Sequence, residues 1–255
     1  MTRLDSLAHP VPVWTSDDQR HILYNGDATL ITPQVLLGRD IDAICTDPPY
    51  NSGGRTTTDR KCSTTQKYKG TSFAGDNRDQ RSFAQWAHIW LTQTITHMAD
   101  GARAWIWTDW RQLPTLTDAI QIAGFTWRQL TPWVKDPGQY RLQKGSAGAQ
   151  CEYIIWGTKG PQQQLEDQSP ALPGFFTGRV PRGDNKRHVA EKPINVLVDL
   201  FSLLPANSRI FDPFAGSGTV AAAAAIAGHR SISIELDPQH VENFVSRFAQ
   251  GTLNV

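Results

Sequence analysis

Ile41-Asp42-Ala43-Ile44-Cys45-Thr46-Asp47-Pro48-Pro49-Tyr50 is an apolar run that ends on two consecutive prolines. Proline can neither continue a strand ladder nor enter a helix interior, so the run predicts a short buried strand followed by a turn. Asp47 and Tyr50 then lie at the carboxyl end of the strand, where open α/β sheets bind their ligands. The Asp47 carboxylate, the Pro48 carbonyl and the Tyr50 ring could together hold a planar amine. An ordinary strand-ending turn is the alternative interpretation.

Strands and helices alternate along the rest of the chain. Apolar strands are predicted at 21–25, 102–108, 125–134, 151–156, 209–211 and 231–235. Helices are predicted at 29–37, 83–98, 113–123, 191–204, 220–227 and 238–249, and Gly101 is expected to end the second of them. Nearly continuous apolar strands are typical of a mostly parallel sheet covered by helices on both faces. We therefore expect an α/β domain at 21–255, preceded by an irregular arm at 1–20.

The composition is that of an ordinary globular chain of 255 residues, with 39% hydrophobic residues, 19% charged residues and a net charge of +1. Only local clusters of charge can then indicate nucleic acid. Three well separated cysteines predict neither a disulfide framework nor a metal site and fit a reducing cytoplasm. The sequence has no recognisable signal peptide and no apolar stretch of roughly 18 residues, so no membrane association is expected. Nine tryptophans predict a large aromatic core or an interface.

A second candidate site follows the strand predicted at 209–211. Phe214-Ala215-Gly216-Ser217-Gly218-Thr219 separates that strand from a helix of nearly pure alanine. Glycines at such a turn let a ligand approach the backbone, and the helix N-terminus offers free N–H groups. The next strand ends on Glu235, at the spacing of an acidic residue that holds ribose hydroxyls. This order predicts an adenosine-containing ligand, and a tight turn with a surface glutamate is the alternative.

With both elements together, the sequence resembles the β class of S-adenosylmethionine-dependent DNA amino-methyltransferases. The resemblance rests on Asp47-Pro48-Pro49-Tyr50, on the run from Asp212 to Thr219, and on His188-Val189-Ala190-Glu191-Lys192-Pro193 just upstream of that run. It covers about residues 21–250. It implies a Rossmann-like class I methyltransferase fold, a mostly parallel seven-stranded sheet with one antiparallel strand, circularly permuted so that the catalytic motif precedes the cofactor motif. A nicotinamide enzyme fits less well, because the glycines do not complete a GxGxxG pattern.

The resemblance implies a role for each motif. The catalytic residues would be Asp47, Pro48, Pro49 and Tyr50, with the Asp47 carboxylate and the Pro48 carbonyl accepting the N–H bonds of the target amine and Tyr50 stacking on the base. Glu235 would hold the ribose of S-adenosylmethionine, Asp27 its adenine amine, and Lys192 would lie near its methionine end. The residues expected to bind this cofactor are Asp27, Lys192, Asp212, Phe214, Ala215, Gly216, Ser217, Gly218, Thr219 and Glu235. No metal is expected.

The acceptor implied by the resemblance is the N6 amine of an adenine that has left the duplex. Aspartate at position 47 favours adenine, whereas serine there often accompanies N4 methylation of cytosine. Cytosine N4 methylation and a non-catalytic DNA-binding regulator of the same fold are the alternatives. Asp109-Trp110-Arg111, after the strand at 102–108, could line the base pocket or only cap the next helix.

Two segments are predicted to contact double-stranded DNA. Residues 51–81 form a long, locally basic segment without apolar periodicity, for which a merely solvated loop is the alternative, and residues 158–187 occupy the position of a target-recognition region. The candidate DNA-binding residues are Arg55, Arg60, Lys61, Lys67, Lys69, Arg179, Arg182, Lys186 and Arg187. Because the second segment is short, a homodimer would suit the recognition of a DNA site. We expect a cytoplasmic protein of bacterial, archaeal or phage origin, and leave open whether a restriction enzyme accompanies it.

Overall fold

The computed structural model describes residues 9–49, 78–138, 140, 144–145, 147–162, 170–179 and 192–249. In this part of the chain, nine strands form one sheet. In chain order they are β1 (Trp14–Thr15), β2 (His21–Asn25), β3 (Ile41–Thr46), β4 (Met98–Thr108), β5 (Phe125–Lys135), β6 (Cys151–Lys159), β7 (Phe176–Gly178), β8 (Arg209–Asp212) and β9 (Arg230–Glu235). The helices of the described ranges are α1 (Ala28–Leu36), α2 (Gln80–Ile95), α3 (Leu113–Ile122), α4 (Ile194–Phe201), α5 (Thr219–Ile226) and α6 (Pro238–Ala249).

The strands lie in the order β1-β2-β9-β8-β3-β4-β6-β5-β7. Seven of them share one direction, whereas β1 and β6 run the opposite way. The predicted seven-stranded sheet with one antiparallel strand, β6, is confirmed as the central part of this sheet. The short strands β1 and β7 extend its two edges, and they contain too few residues to leave a periodic pattern in the sequence.

The predicted helix end at Gly101 is wrong. Helix α2 already ends at Ile95, and β4 begins at Met98 with Gly101 inside it. Gly101 has a φ of 79°, a left-handed conformation that glycine adopts without strain. The pairing of β3 with β4 shifts register at this point. The glycine therefore marks a bulge within a strand, which imitates a helix stop signal in the sequence.

Helices cover both faces of the sheet. One apolar cluster joins α1, α2 and α3 to one face, and a second joins α4 and α5 to the other. Four tryptophans are at most 1% exposed, which confirms the aromatic core for Trp90, Trp105, Trp107 and Trp133. Trp14, inside the region predicted as an arm, packs against Phe248 of α6 with ring centres 4.8 Å apart. In the described ranges, no helix combines the length and the apolar character that crossing a membrane requires.

Candidate active site

The carboxyl ends of β3 and β8 form the floor of the candidate site. These strands are parallel neighbours in the sheet. Asp47 directly follows β3, and Asp212 is the last residue of β8. Thr46 Oγ1 donates a 2.7 Å hydrogen bond to Asp212 Oδ1 across 166 positions of sequence. The two motifs singled out in the sequence therefore meet at one edge of the sheet.

An open cleft with about 450 Å³ of empty space lies at this edge. It brings together eight of the residues predicted to act in catalysis or cofactor binding, and Trp107 and Val220 add two apolar side chains. The lining residues are Asp47, Trp107, Lys192, Asp212, Phe214, Ala215, Gly216, Ser217, Thr219 and Val220.

The Asp47 carboxylate has two oxygens in different environments. Oδ2 lies 2.7 Å from Lys192 Nζ. Oδ1 is buried and accepts no hydrogen bond from the residues that the structure describes. Burial raises the pKa of Asp47 to about 6, with Lys192 acting against this increase and Glu152 adding to it. A buried acceptor without a donor at the floor of a cleft can receive an N–H group from a ligand.

Lys192 stands at the centre of a buried row of charges. Its Nζ lies 2.7 Å from Asp47 Oδ2 and 2.7 Å from Glu152 Oε2, and 5.4 Å from the centre of the Trp107 ring. Glu152 Oε1 lies 2.6 Å from Lys135 Nζ. Burial acts to raise the pKa of Glu152, but the ammonium groups of Lys192 and Lys135 outweigh it and lower the pKa to about 2. The expected proximity of Lys192 to the cofactor's methionine end stays a prediction.

The sequence interpretation missed Glu152 and Lys135. The available signal was a single carboxylate in the otherwise apolar run Cys151–Trp156, because a buried charge requires a partner. The identity of the partner depends on strand pairing. Strand β6 lies antiparallel between β4 and β5, and its pairing of Trp133 with Glu152 brings Lys135 alongside. That neighbourhood exists only in the folded sheet.

The glycine loop between β8 and α5 has the backbone conformation that its sequence suggests. Gly216 and Gly218 have φ values of 52° and 81°. A Cβ atom at Gly218 would lie 2.6 Å from Phe244 Cδ2, so α6 packs directly against the loop. Asp212 is 2% exposed. Burial raises its pKa to about 7, although a hydroxyl and a backbone N–H donate to it.

Glu235 ends β9, and Asp27 lies two residues beyond the end of the parallel neighbour β2. Glu235 Oε2 accepts a 2.7 Å hydrogen bond from the Gly216 amide, and Oε1 accepts one of 2.8 Å from the Asp237 amide. Asp27 is the N-cap of α1 and accepts from both the amide and the hydroxyl of Thr29. Both carboxylates therefore belong to the edge that carries the glycine loop, while their contacts with a cofactor stay predictions.

Asp109-Trp110-Arg111 forms the turn before α3 and does not cap the helix, because the N-cap is Gln112 and has no side-chain cap hydrogen bond. Asp109 Oδ1 accepts hydrogen bonds from the backbone amides of Arg111 and Gln112, at 2.9 and 3.0 Å, in the turn before α3. Trp110 is 53% exposed, and the Arg111 guanidinium lies 4.7 Å from its ring centre. A role for this segment in a base pocket stays a prediction.

Several predicted residues fall outside the described ranges. They are Tyr50, Arg55, Arg60, Lys61, Lys67, Lys69, Arg182, Lys186 and Arg187. Pro48 and Pro49 are described and directly follow Asp47, and Pro48 is buried. Arg179 follows β7 with its side chain 83% exposed, 3.4 Å from Asp136. Within the described ranges, no group of three histidine, cysteine or acidic residues could hold a metal ion.

Comparisons with known proteins show which family the chain resembles. Residues 41–246, which contain both motifs, match a family model described as DNA methylase. YubD of Escherichia coli (strain K12), whose name is that of a methylase, is 30% identical over 210 residues, covering 80% of this chain and 79% of that protein.

Two solved structures are also similar. The M1.HpyAVI–SAM complex has a TM-score of 0.67 at 19% identity, covering 89% of this chain and 98% of that chain. The PvuII DNA methyltransferase, described as cytosine-N4-specific, has a TM-score of 0.68 at 16% identity, covering 93% of this chain and 88% of that chain. At these identities, the structural likeness shows a shared fold.

Proposed function

The chain belongs to the DNA methylase family, and from this premise we propose that it transfers a methyl group from S-adenosylmethionine to the exocyclic N6 amine of adenine in double-stranded DNA. One observation carries the proposal. Asp47 Oδ1 is a buried acceptor without a donor among the described residues, and it lies in the cleft that the glycine loop lines. An amine held by Asp47 would thus stand beside a ligand held by the loop.

The chemistry of the cleft fits S-adenosylmethionine, which supplies an electrophilic methyl group on a positively charged sulfur. Asp47 and Asp212 both line the cleft with raised pKa values, and a bound cation would favour their ionised forms. Gly216 leaves the loop backbone open to a ligand. Glu235 stands against that loop, and a carboxylate has room to accept further hydrogen bonds from ribose hydroxyls.

Asp47 would promote the reaction chiefly by positioning. The exocyclic amine of adenine is a poor nucleophile because its lone pair is delocalised into the ring. Asp47 Oδ1 and the Pro48 carbonyl can accept its two N–H bonds, which favours a pyramidal nitrogen with its lone pair directed at the methyl group. The ion pair with Lys192 orients the carboxylate. Ionised Asp47 stabilises the positive charge that develops on the nitrogen and can take up its proton.

Adenine is proposed over cytosine because residue 47 is aspartate rather than serine. Both bases carry an exocyclic amine that the same acceptors could hold, so the cleft itself favours neither. A DNA-binding protein without catalysis is a weaker candidate. Burying a carboxylate with a raised pKa costs folding free energy, and such groups are concentrated in catalytic sites.

The proposal is tested by expressing the gene in a host that lacks DNA methylation and sequencing the host DNA for modified bases. We expect N6-methyladenine at a defined sequence context, and its loss in the Asp47→Ala variant at equal protein abundance. Detection of N4-methylcytosine instead of N6-methyladenine would mean that cytosine is the methylated base. Unmodified DNA from cells that contain soluble wild-type protein would contradict catalysis.

A further inference from the structure

Lys192 is shared between two carboxylates. Because Asp47 Oδ2 and Glu152 Oε2 both lie 2.7 Å from the same nitrogen, the two oxygens can be no more than about 5.4 Å apart. All three side chains are largely buried, with exposures of 6% for Lys192, 16% for Glu152 and 22% for Asp47. Like charges at this distance repel each other strongly when water is excluded. The ammonium group between them therefore makes the arrangement possible.

Lys135 completes the row from the far side. Its Nζ lies 2.6 Å from the other oxygen of Glu152, and its side chain is 17% exposed. It also lies 5.6 Å from the centre of the Trp133 ring. Positive and negative groups thus alternate along Lys135, Glu152, Lys192 and Asp47. Removing the charge of Lys135, at the outer end of this row, must therefore alter how strongly Lys192 attracts the Asp47 carboxylate.

We propose that Glu152 and Lys135 are positioning residues that act through Lys192 to hold the Asp47 carboxylate in place and to set the pH at which it becomes ionised. The inference rests on the proposed function, in which Asp47 accepts the N–H bonds of the target amine. Glu152 holds Lys192 at the floor of the cleft and competes with Asp47 for its charge. Lys135 compensates the charge of Glu152 and so limits that competition.

Removing the charge of Glu152 and removing the charge of Lys135 should shift the pH at which Asp47 ionises in opposite directions. Removing the negative charge of Glu152 removes a competitor for the Lys192 ammonium group and makes Asp47 ionise at lower pH. Removing the positive charge of Lys135 strengthens the attraction of Glu152 for Lys192 and makes Asp47 ionise at higher pH. The other charged groups near Asp47 are the same in both variants, so they do not cause a difference between them. Among the described residues, the titratable or charged groups that interact with Asp47 are Lys192, Glu152, Lys135, Asp212 and Cys45.

The test is the pH dependence of methyl incorporation from labelled S-adenosylmethionine into unmethylated genomic DNA. Initial rates at limiting DNA and saturating S-adenosylmethionine report kcat/KM for DNA, whose acidic limb follows the ionisation of the enzyme that has bound the cofactor. We expect this limb to move down by about 1 pH unit in Glu152→Gln, since a charge within about 4–6 Å shifts a pKa by about 1–3 units. It should move up by a smaller amount in Lys135→Met, because Lys135 lies beyond Glu152 in the row. The double variant should return towards the wild-type profile, because it removes one charge of each sign.

Glu242→Gln and Lys144→Met change the same charges at exposed positions and should leave the profile unmoved. A merely structural role would lower the rate at every pH without moving the limb. If the wild type is active but both single variants and the double variant have the same acidic limb as the wild type, this inference is overturned and the proposed function stands. A wild type that incorporates no methyl groups would overturn the proposed function and this inference together.

Discussion

Asp212 is the carboxyl group of the cleft most removed from water. It is 2% exposed, and burial raises its pKa to about 7. The bonds from Thr46 Oγ1 and the Phe214 amide favour the ionised form without overcoming that effect. At pH 6 the side chain is therefore mostly neutral. A ligand that carries a positive charge into the cleft should bind more tightly once Asp212 is ionised.

We expect S-adenosylmethionine to gain affinity relative to S-adenosylhomocysteine, which lacks the sulfonium charge, as the pH rises from 5.5 to 8. The sign follows because the cation favours loss of the Asp212 proton, and a pKa change of 1 unit corresponds to about tenfold in the affinity ratio. Calorimetric titration of both ligands across this range measures the ratio. Asp212→Asn should reduce the pH dependence to the part that Asp47 contributes near pH 6, and an unchanged slope in this variant would contradict the assignment.

The sequence identified some residues of the candidate site and missed others. Asp47 and Asp212 could be found because each directly precedes a proline at the end of an apolar run, a local signal. The sequence marks Glu152 only as a carboxylate within an apolar run, and its partners Lys135 and Lys192 could not be identified, because these contacts depend on the pairing of β5 with β6 and on the approach of Lys192 from a distant segment. Long-range ion pairs leave no spacing in the sequence that would predict them.

At the scale of elements, the glycine loop joins three parts of the fold. It follows β8, opens α5 and packs against α6 through the contact of Gly218 with Phe244. The Gly216 amide also donates to Glu235 at the end of β9. The alternation of strands and helices predicted β8, α5 and β9 closely, because each has its own apolar pattern. The contact between the loop and α6 could not be predicted, since it depends on how α6 returns to the sheet.

Gly218→Ala should destabilise the protein and weaken cofactor binding. Its φ of 81° disfavours any residue with a Cβ atom, at a cost of about 1–2 kcal/mol, and the added Cβ would meet the Phe244 ring at 2.6 Å. Gly228→Ala is the matched control, because its φ is 75° but nothing lies within 4 Å of the added atom. Thermal unfolding and titration with S-adenosylmethionine should show a larger loss for Gly218→Ala. Equal losses in both variants would mean that the contact with Phe244 has no effect.

At the scale of the whole molecule, the parallel strands place their carboxyl ends along one edge of the sheet and their amino ends along the opposite edge. Asp47, Asp212 and Glu235 lie at carboxyl ends, and so does Arg179 after β7, which is parallel to β5. Arg230 begins β9 at the opposite edge. With a net charge of +1, the molecule as a whole has no strong attraction for DNA. Binding should therefore depend on basic side chains at the edge that carries the cleft.

Arg179→Ala should weaken DNA binding across all sequences and reduce the slope of log affinity against log salt concentration by about 0.9, the value for one lost phosphate contact. The side chain is available for such a contact, because its ion pair with Asp136 is exposed and 3.4 Å long. Fluorescence anisotropy with duplex DNA at several salt concentrations measures both quantities. Arg230→Ala is the control, and an equal effect of the two variants would contradict a DNA-binding role for this edge.

The central claim is that Asp47 Oδ1 receives the amine that is methylated. The most direct measurement is single-turnover methyl transfer to unmethylated genomic DNA by the wild type, Asp47→Asn and the exposed control Asp199→Asn, each saturated with S-adenosylmethionine. Asparagine keeps the shape of the side chain but removes its charge, so we predict a rate loss of about 100-fold or more with cofactor affinity within about threefold of wild type. Asp199→Asn should retain the wild-type rate. An Asp47→Asn enzyme that transfers methyl groups at a near wild-type rate would contradict the account.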